Sequence, residues 1–218
     1  MPIWIRSNSR RWRTVTRYDC RVQALAVCLS GLAGYVDAKG FRELRGFVVS
    51  LISGNSTRLE VGLAQWSPHA LIEVALVGSV VAGSLAGHEA RHRPTVLALV
   101  AVLLGIAGFR AGAIVATGFA MGAENAVFER VGEVHIGLTY MTGTLVKFAQ
   151  RIAYALVGGD RLGRLPYLSM WIGLVVGATM GALPHPRLGL ASLGPAALAA
   201  AAFALAARII DPGQHKAG

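Results

Sequence analysis

The chain has 218 residues, 54% of them hydrophobic and 15% charged, with a formal net charge of +10. Soluble domains carry about 25% charged residues, so this deficit, with 27 glycines and a mean hydropathy of +0.54, excludes an ordinary soluble fold. It predicts an all-α, polytopic helical membrane protein, and the basic excess does not point to nucleic acid because no soluble domain accompanies it.

In chain order, residues 1–21 come first, with Arg6, Arg10, Arg11, Arg13, Arg17 and Arg21. They read as a cytoplasmic arm held against anionic lipid head groups. The basic stretch is too long for a signal peptide, and no small-residue cleavage site ends the first apolar run. Residues 22–209 are expected to form one membrane domain, followed by a short tail, 210–218. Apolar runs predict helices over 22–39, 46–66, 69–90, 94–108, 111–128, 135–157, 166–183 and 190–209, several of them near the lower limit for a span. About eight short transmembrane segments are expected. The number falls to six or seven if the fourth and fifth, separated by Gly108, Phe109 and Arg110, make one interrupted helix. Cys20 and Cys28 have neither zinc-pair nor CxxC spacing, so no disulfide framework is expected. The expected location is a bacterial inner membrane, with the amino terminus in the cytoplasm.

A repeat organises these segments. Gly34-Tyr35-Val36-Asp37-Ala38 followed by Ser53-Gly54-Asn55 corresponds to Gly122-Ala123-Glu124-Asn125-Ala126 followed by Thr142-Gly143-Thr144. Arg58 then matches Lys147, and Gly78 to Gly83 match Gly173 to Ala178. The two halves lie at about 22–109 and 110–209. A polar motif duplicated at matching depth is a common way to build a transport site. Four spans per half would orient both halves alike, whereas three would invert one against the other. Gly83 and Gly87, like Gly173, Gly177 and Gly181, have the four-residue spacing that lets helices approach closely, and they read as packing residues.

The candidate solute-binding residues are Asp37, Ser53, Gly54, Asn55, Thr57 and Arg58 in the first half. In the second they are Glu124, Asn125, Tyr140, Thr142, Gly143, Thr144 and Lys147. Carboxylates within spans are costly and call for a partner or a function; Asp37 and Glu124 are also candidates to carry a proton. The competing reading of Asp37 is a solvated helix end. Gly54 and Gly143 would permit local unwinding, freeing backbone groups for a solute or ion. Against that, Ser and Thr also bond back to their own helix and join neighbours. Arg58 and Lys147 either pair with Asp37, Glu60 or Glu124, attract an anionic solute, or snorkel to the interface.

His88-Glu89-Ala90-Arg91-His92 fits the HExxH zinc-protease pattern. It closes a segment just before Pro94, however, and reads as an interfacial loop. No metal or cofactor is expected, and no enzyme activity.

These motifs, with Phe47-Val48-Val49-Ser50, Thr139-Tyr140-Met141-Thr142-Gly143-Thr144-Leu145, Pro166-Tyr167, Trp171 and Gly173, make the chain resemble the YoaK-like family of bacterial membrane proteins over about residues 22–185. The resemblance implies an integral inner-membrane protein labelled a permease, with no assigned substrate. Gln is usual in that family where this chain has Glu124. The expected function is a small secondary transporter moving a polar or ionic solute through a pseudo-symmetric midplane site, with a homodimer as the reasonable assembly. The alternatives are a non-transporting membrane scaffold and, third, a membrane zinc metalloenzyme.

Overall fold

The computed structural model describes residues 19–43, 46–68, 70–90, 92–108, 113–130, 133–134, 137–160, 162–183 and 189–210. Among them lie eight α-helices: α1 (Cys20–Glu43), α2 (Ile52–Ala64), α3 (Ala70–Glu89), α4 (Arg93–Ala107), α5 (Ala113–Asn125), α6 (Met141–Leu156), α7 (Leu165–Ala182) and α8 (Gly194–Ile210). A two-residue antiparallel pairing, Glu129–Arg130 with Glu133–Val134, follows α5 and is too small to alter an all-helical architecture. Residues 1–18 of the basic arm and the tail beyond 210 fall outside the described residues.

Length and apolarity together separate the eight. α1, α3, α7 and the stretch Ala191–Ile210 are long and apolar enough to cross a membrane, and Arg93–Ala107 and Ala113–Phe128 are shorter apolar helices. α2 and α6 are 13 and 16 residues long, or about 20 and 24 Å at 1.5 Å per residue, against a hydrocarbon core of about 30 Å. Both carry ionisable residues: Arg58 and Glu60 on α2, Lys147 and Arg151 on α6. Leu71, Leu85, Val102, Leu198 and Leu205 are exposed large apolar residues on these apolar helices, as suits contact with lipid.

The expected helix over 46–66 begins six residues late, at Ile52, and that over 135–157 begins at Met141. Gly46, at φ +86°, breaks the chain after α1 in a conformation that favours glycine. The unwound stretches therefore precede the Ser-Gly-Asn and Thr-Gly-Thr motifs. Gly54 and Gly143 themselves are helical, with open space where a side chain would stand.

Two helix pairs make the frame: α1 lies along α7, and α3 along α5. Glycine sets both contacts. A Cβ on Gly177 would overlap the carbonyl oxygen of Gly31, and one on Gly181 that of Tyr35. In the other pair, a Cβ on Gly83 would overlap the Phe119 carbonyl, and Gly87 packs against Ala123 and Ala126. The same holds from the opposite helices, Gly34 against the Leu174 carbonyl and Gly122 against that of Val80. In each pair these contacts ascend together along both helices, so each pair runs parallel. Gly83 thus plays the part of Gly177, and Gly87 that of Gly181, one residue off the register expected from Gly78 and Gly173. A third pair, α4 with α8, packs large onto small: Leu97, Val100 and Leu104 on α4 are fully buried, as are Ala200 and Ala207 on α8.

α2 is tied to its surroundings by Arg58. Its Nε lies 2.8 Å from Glu73 Oε1 on α3, an Nη donates to the Gly46 carbonyl at 2.6 Å, and the guanidinium stacks 4.3 Å from the centroid of Phe47. The Arg58 side chain is 43% exposed and that of Glu73 only 3%.

Two outcomes follow for thermal unfolding of detergent-solubilised protein. Gly177→Val and Gly83→Val, which drive a side chain into a backbone carbonyl, lower stability by about 1–3 kcal/mol or more, while Gly78→Ala, with nothing within 4 Å of the added atom, is neutral or mildly stabilising. Arg58→Ala strands the buried Glu73 carboxylate and lowers stability by about 1–3 kcal/mol, a range reduced for the exposure of the arginine; adding Glu73→Gln recovers part of the loss.

Candidate functional site

The two unwound stretches are each held by a side chain near the end of the preceding helix. Asp37, buried on α1, accepts from the Ser50 backbone N–H at 2.6 Å and from the Ser50 hydroxyl at 2.5 Å. Asn125, the last residue of α5, accepts from the Thr139 hydroxyl at 3.2 Å and donates to the Met121 carbonyl at 3.1 Å. Asp37 and Asn125 occupy matching places in the repeat, as do Ser50 and Thr139. One turn performs the same task twice, with an ionisable acceptor in the first copy and a neutral amide in the second.

Further contacts secure the breaks. Asn55 is fully buried; its Nδ2 donates to the Val48 carbonyl, a group that no helix satisfies, while its Oδ1 has no hydrogen-bond partner among the described residues. Ser30, midway along α1, donates to the Leu138 carbonyl at 3.3 Å. Thr144, the counterpart of Asn55, is buried as well.

Between the stretches lies a cavity of about 520 Å³. Its walls are Ser50, Leu51, Ile52 and Ser53 from the entry to α2, and Thr139 to Gly143 from the entry to α6. Val80 and Ser84 of α3, with Asn125 of α5, complete the lining. Ser84 donates to the Gly122 carbonyl on α5 at 3.1 Å, which ties this wall together. The amino ends of two helices therefore open onto one space, where backbone N–H groups lack helical acceptors and the helix dipoles present their positive ends.

The structure gathers some predicted site residues and disperses others. Ser53, Asn125, Tyr140, Thr142 and Gly143 line the cavity. Asp37 does not line it but fixes Ser50, which does. Gly54, Asn55, Thr57 and Thr144 sit in the opening turns of α2 and α6 behind the wall; Thr57 bonds back to the Ser53 carbonyl at 3.2 Å. Arg58 is paired with Glu73 rather than with Asp37, Glu60 or Glu124. Lys147 is exposed and lies away from the lining. Glu124 is fully buried, and neither carboxyl oxygen has a hydrogen-bond partner among the described residues.

Sequence reasoning did not place Ser50, Val80, Ser84 and Thr139 in the site. Ser50 and Thr139 stood at the edges of quoted motifs, and their matching positions were the available signal. Val80 and Ser84 carried none, since a serine on a glycine-rich helix looks like any other packing residue. The HExxH pattern is divided between elements: α3 ends at Glu89, and His92 precedes α4 in an extended conformation. His88 and His92 thus do not share a helix face, which removes the geometry that the zinc pattern requires.

Residues 25–206 match the family described as "Protein of unknown function (DUF1275)". The chain is also similar to a UPF0700 transmembrane protein of Rhizobium meliloti (strain 1021), 35% identical over 215 residues that cover 91% of this chain and 94% of the relative. No solved structure matches. Nothing in either description points to catalysis. With a matched span that takes in both helix pairs, both unwound stretches and the cavity between them, this chain belongs to the DUF1275 family of multi-pass membrane proteins, in keeping with its YoaK-like motifs.

Proposed function

We propose that the chain is a small secondary transporter, a permease that carries a polar or ionic small solute through the cavity between its two motifs. The observation that carries this reading is the lining. In a chain otherwise dominated by apolar helices, hydroxyl and amide groups from matching positions of two sequence-related halves converge on one space. Its volume of about 520 Å³ falls within the roughly 300–1,000 Å³ usual for small-molecule sites.

The residues divide by task. Asp37, Asn55 and Asn125 are engaged in holding the unwound backbone, so they shape the site. Ser53, Tyr140 and Thr142 are exposed at the cavity wall and have the geometry to meet the solute. Unwound backbone beside two half-length helices is also the construction by which many transporters coordinate solutes near the midplane. In the alternative reading, a membrane scaffold, the same hydroxyls would only join helices. That role accounts for Asp37 and Asn55 but leaves Ser53 and Thr142 without a task.

Thermal unfolding in the presence of amino acids, sugars, carboxylates, nucleobases and inorganic anions tests the site. A bound solute at 100 times its Kd raises stability by about 2.7 kcal/mol. That solute should then cross proteoliposome membranes, and Ser53→Ala with Thr142→Ala should weaken both effects while leaving the unfolding temperature of the free protein unchanged. If no solute stabilises the protein and none moves faster than through protein-free liposomes, the scaffold reading replaces this one. Ser50→Ala and Thr139→Ala separate shape from contact: the first removes a bond to a carboxylate, worth about 1.5–3 kcal/mol, and the second a neutral one of about 0.5–1.5 kcal/mol. Ser50→Ala is therefore expected to lower the unfolding temperature further.

A further inference from the structure

We infer that α2 and α6 do not cross the bilayer: each dips in from one face and returns to it, and the two enter from opposite faces. The six remaining helices then form two three-span halves, inverted relative to each other, with the cavity between the tips of the two hairpins. This goes beyond the solute reading and does not depend on it.

Hydrogen bonds trace the first hairpin. At the end of α1, the Gly46 N–H donates to the Phe41 carbonyl at 2.8 Å. Four residues later Ser50 bonds Asp37, which lies one turn, or about 6 Å, deeper along α1. Residues 46–50 therefore run back into the protein. α2 reverses that course, because Arg58 returns to the Gly46 carbonyl and also meets Glu73 in the first turn of α3. The end of α1, the middle of α2 and the start of α3 share one level. α3 begins on the face where α1 ended; had α2 crossed, it would begin on the other.

The second hairpin follows from the parallel pairs. α7 ascends with α1, Gly173 beside Val27 and Gly181 beside Tyr35, so α7 begins on the face where α1 begins. α5 descends with α3, Gly83 beside Phe119 and Gly87 beside Ala123, so α5 ends on that same face. Between these two points the chain climbs to Leu138, which bonds Ser30 ten residues into α1, about 15 Å from its start. α6 then leads back to the start of α7. It leaves from the membrane interior and ends on the face it came from.

Composition agrees independently. The six helices assigned as spans are the four that are long and apolar plus the two shorter apolar ones, while α2 and α6 fall in neither group and carry Arg58 with Glu60, and Lys147 with Arg151, within their middle turns. Arg93 and Arg164 stand on the face where α1 begins, and in sequence the arginine-rich first 21 residues lead into that helix, which assigns this face to the cytoplasm. On the opposite face, the turn between α2 and α3 presents Trp66, 95% exposed, where an indole suits the head-group layer.

Each hairpin thus closes the cavity toward one face. The test uses full-length protein with Cys20→Ser and Cys28→Ser, then single cysteines at the exposed positions Phe41, Trp66 and Val157, with Cys20 restored as the marker for the start of α1. Right-side-out and inverted vesicles are treated with a membrane-impermeant maleimide. Phe41→Cys and Trp66→Cys are expected to label from the same side, and Val157→Cys from the other side together with Cys20. Labelling of positions 41 and 66 from opposite sides, or of 66 and 157 from the same side, overturns the inference. A protease site inserted at Trp66 or at Gly158, cut in the same two vesicle types, decides the matter for any position that fails to label. Absence of solute flux would leave this arrangement standing, whereas a crossing α2 would overturn it without touching the solute reading.

Discussion

A helix broken inside an apolar layer exposes backbone N–H and C=O groups that hydrocarbon cannot satisfy, and each one left bare costs several kcal/mol. The construction around the cavity answers that constraint. Both breaks lie against the end of a preceding helix whose side chain holds them: Asp37 supplies the missing partner of the Ser50 N–H, and Asn125 fixes the second break through the Thr139 hydroxyl. Asn55 and Ser30 take two further carbonyls, those of Val48 and Leu138. Without these bonds the short helices would have no fixed starting points, and the space between their amino ends would have no defined walls.

The two copies of this device are not equal. The carboxylate of Asp37 accepts two bonds from Ser50, whereas Asn125 accepts one from Thr139. The acid of the second copy, Glu124, sits one residue earlier and is buried with no partner among the described residues. Arg58 is clamped to Glu73, yet its counterpart Lys147 is exposed. Half one is thus secured by charged groups at two places, where half two has a neutral amide at one and an exposed lysine at the other.

Much of this was legible in the residues. Composition pointed to the class, apolar runs located all eight helices, and the repeated motif marked the segments that line the cavity. The start of each short helix was not legible, because it is decided by partners far away in sequence: Ser30 and Leu138 stand 108 residues apart. The same applies to Arg58, for which nearby acids were plausible partners until α3 brought Glu73 alongside. The third-helix register missed by one residue for a different reason. Several glycines at similar spacing admit two alignments, and only the carbonyls they touch distinguish Gly83 from Gly78.

Those glycine contacts carry a mechanical consequence. Where a backbone carbonyl occupies the place of a missing side chain, two helices can neither slide nor roll without colliding. The pairs α1–α7 and α3–α5 are in effect two stiff beams, each made of one helix from each half of the chain. Movement that opens or shuts the cavity must therefore occur at the seam between the beams, where the entries to α2 and α6 meet Val80, Ser84 and Asn125, rather than within either beam.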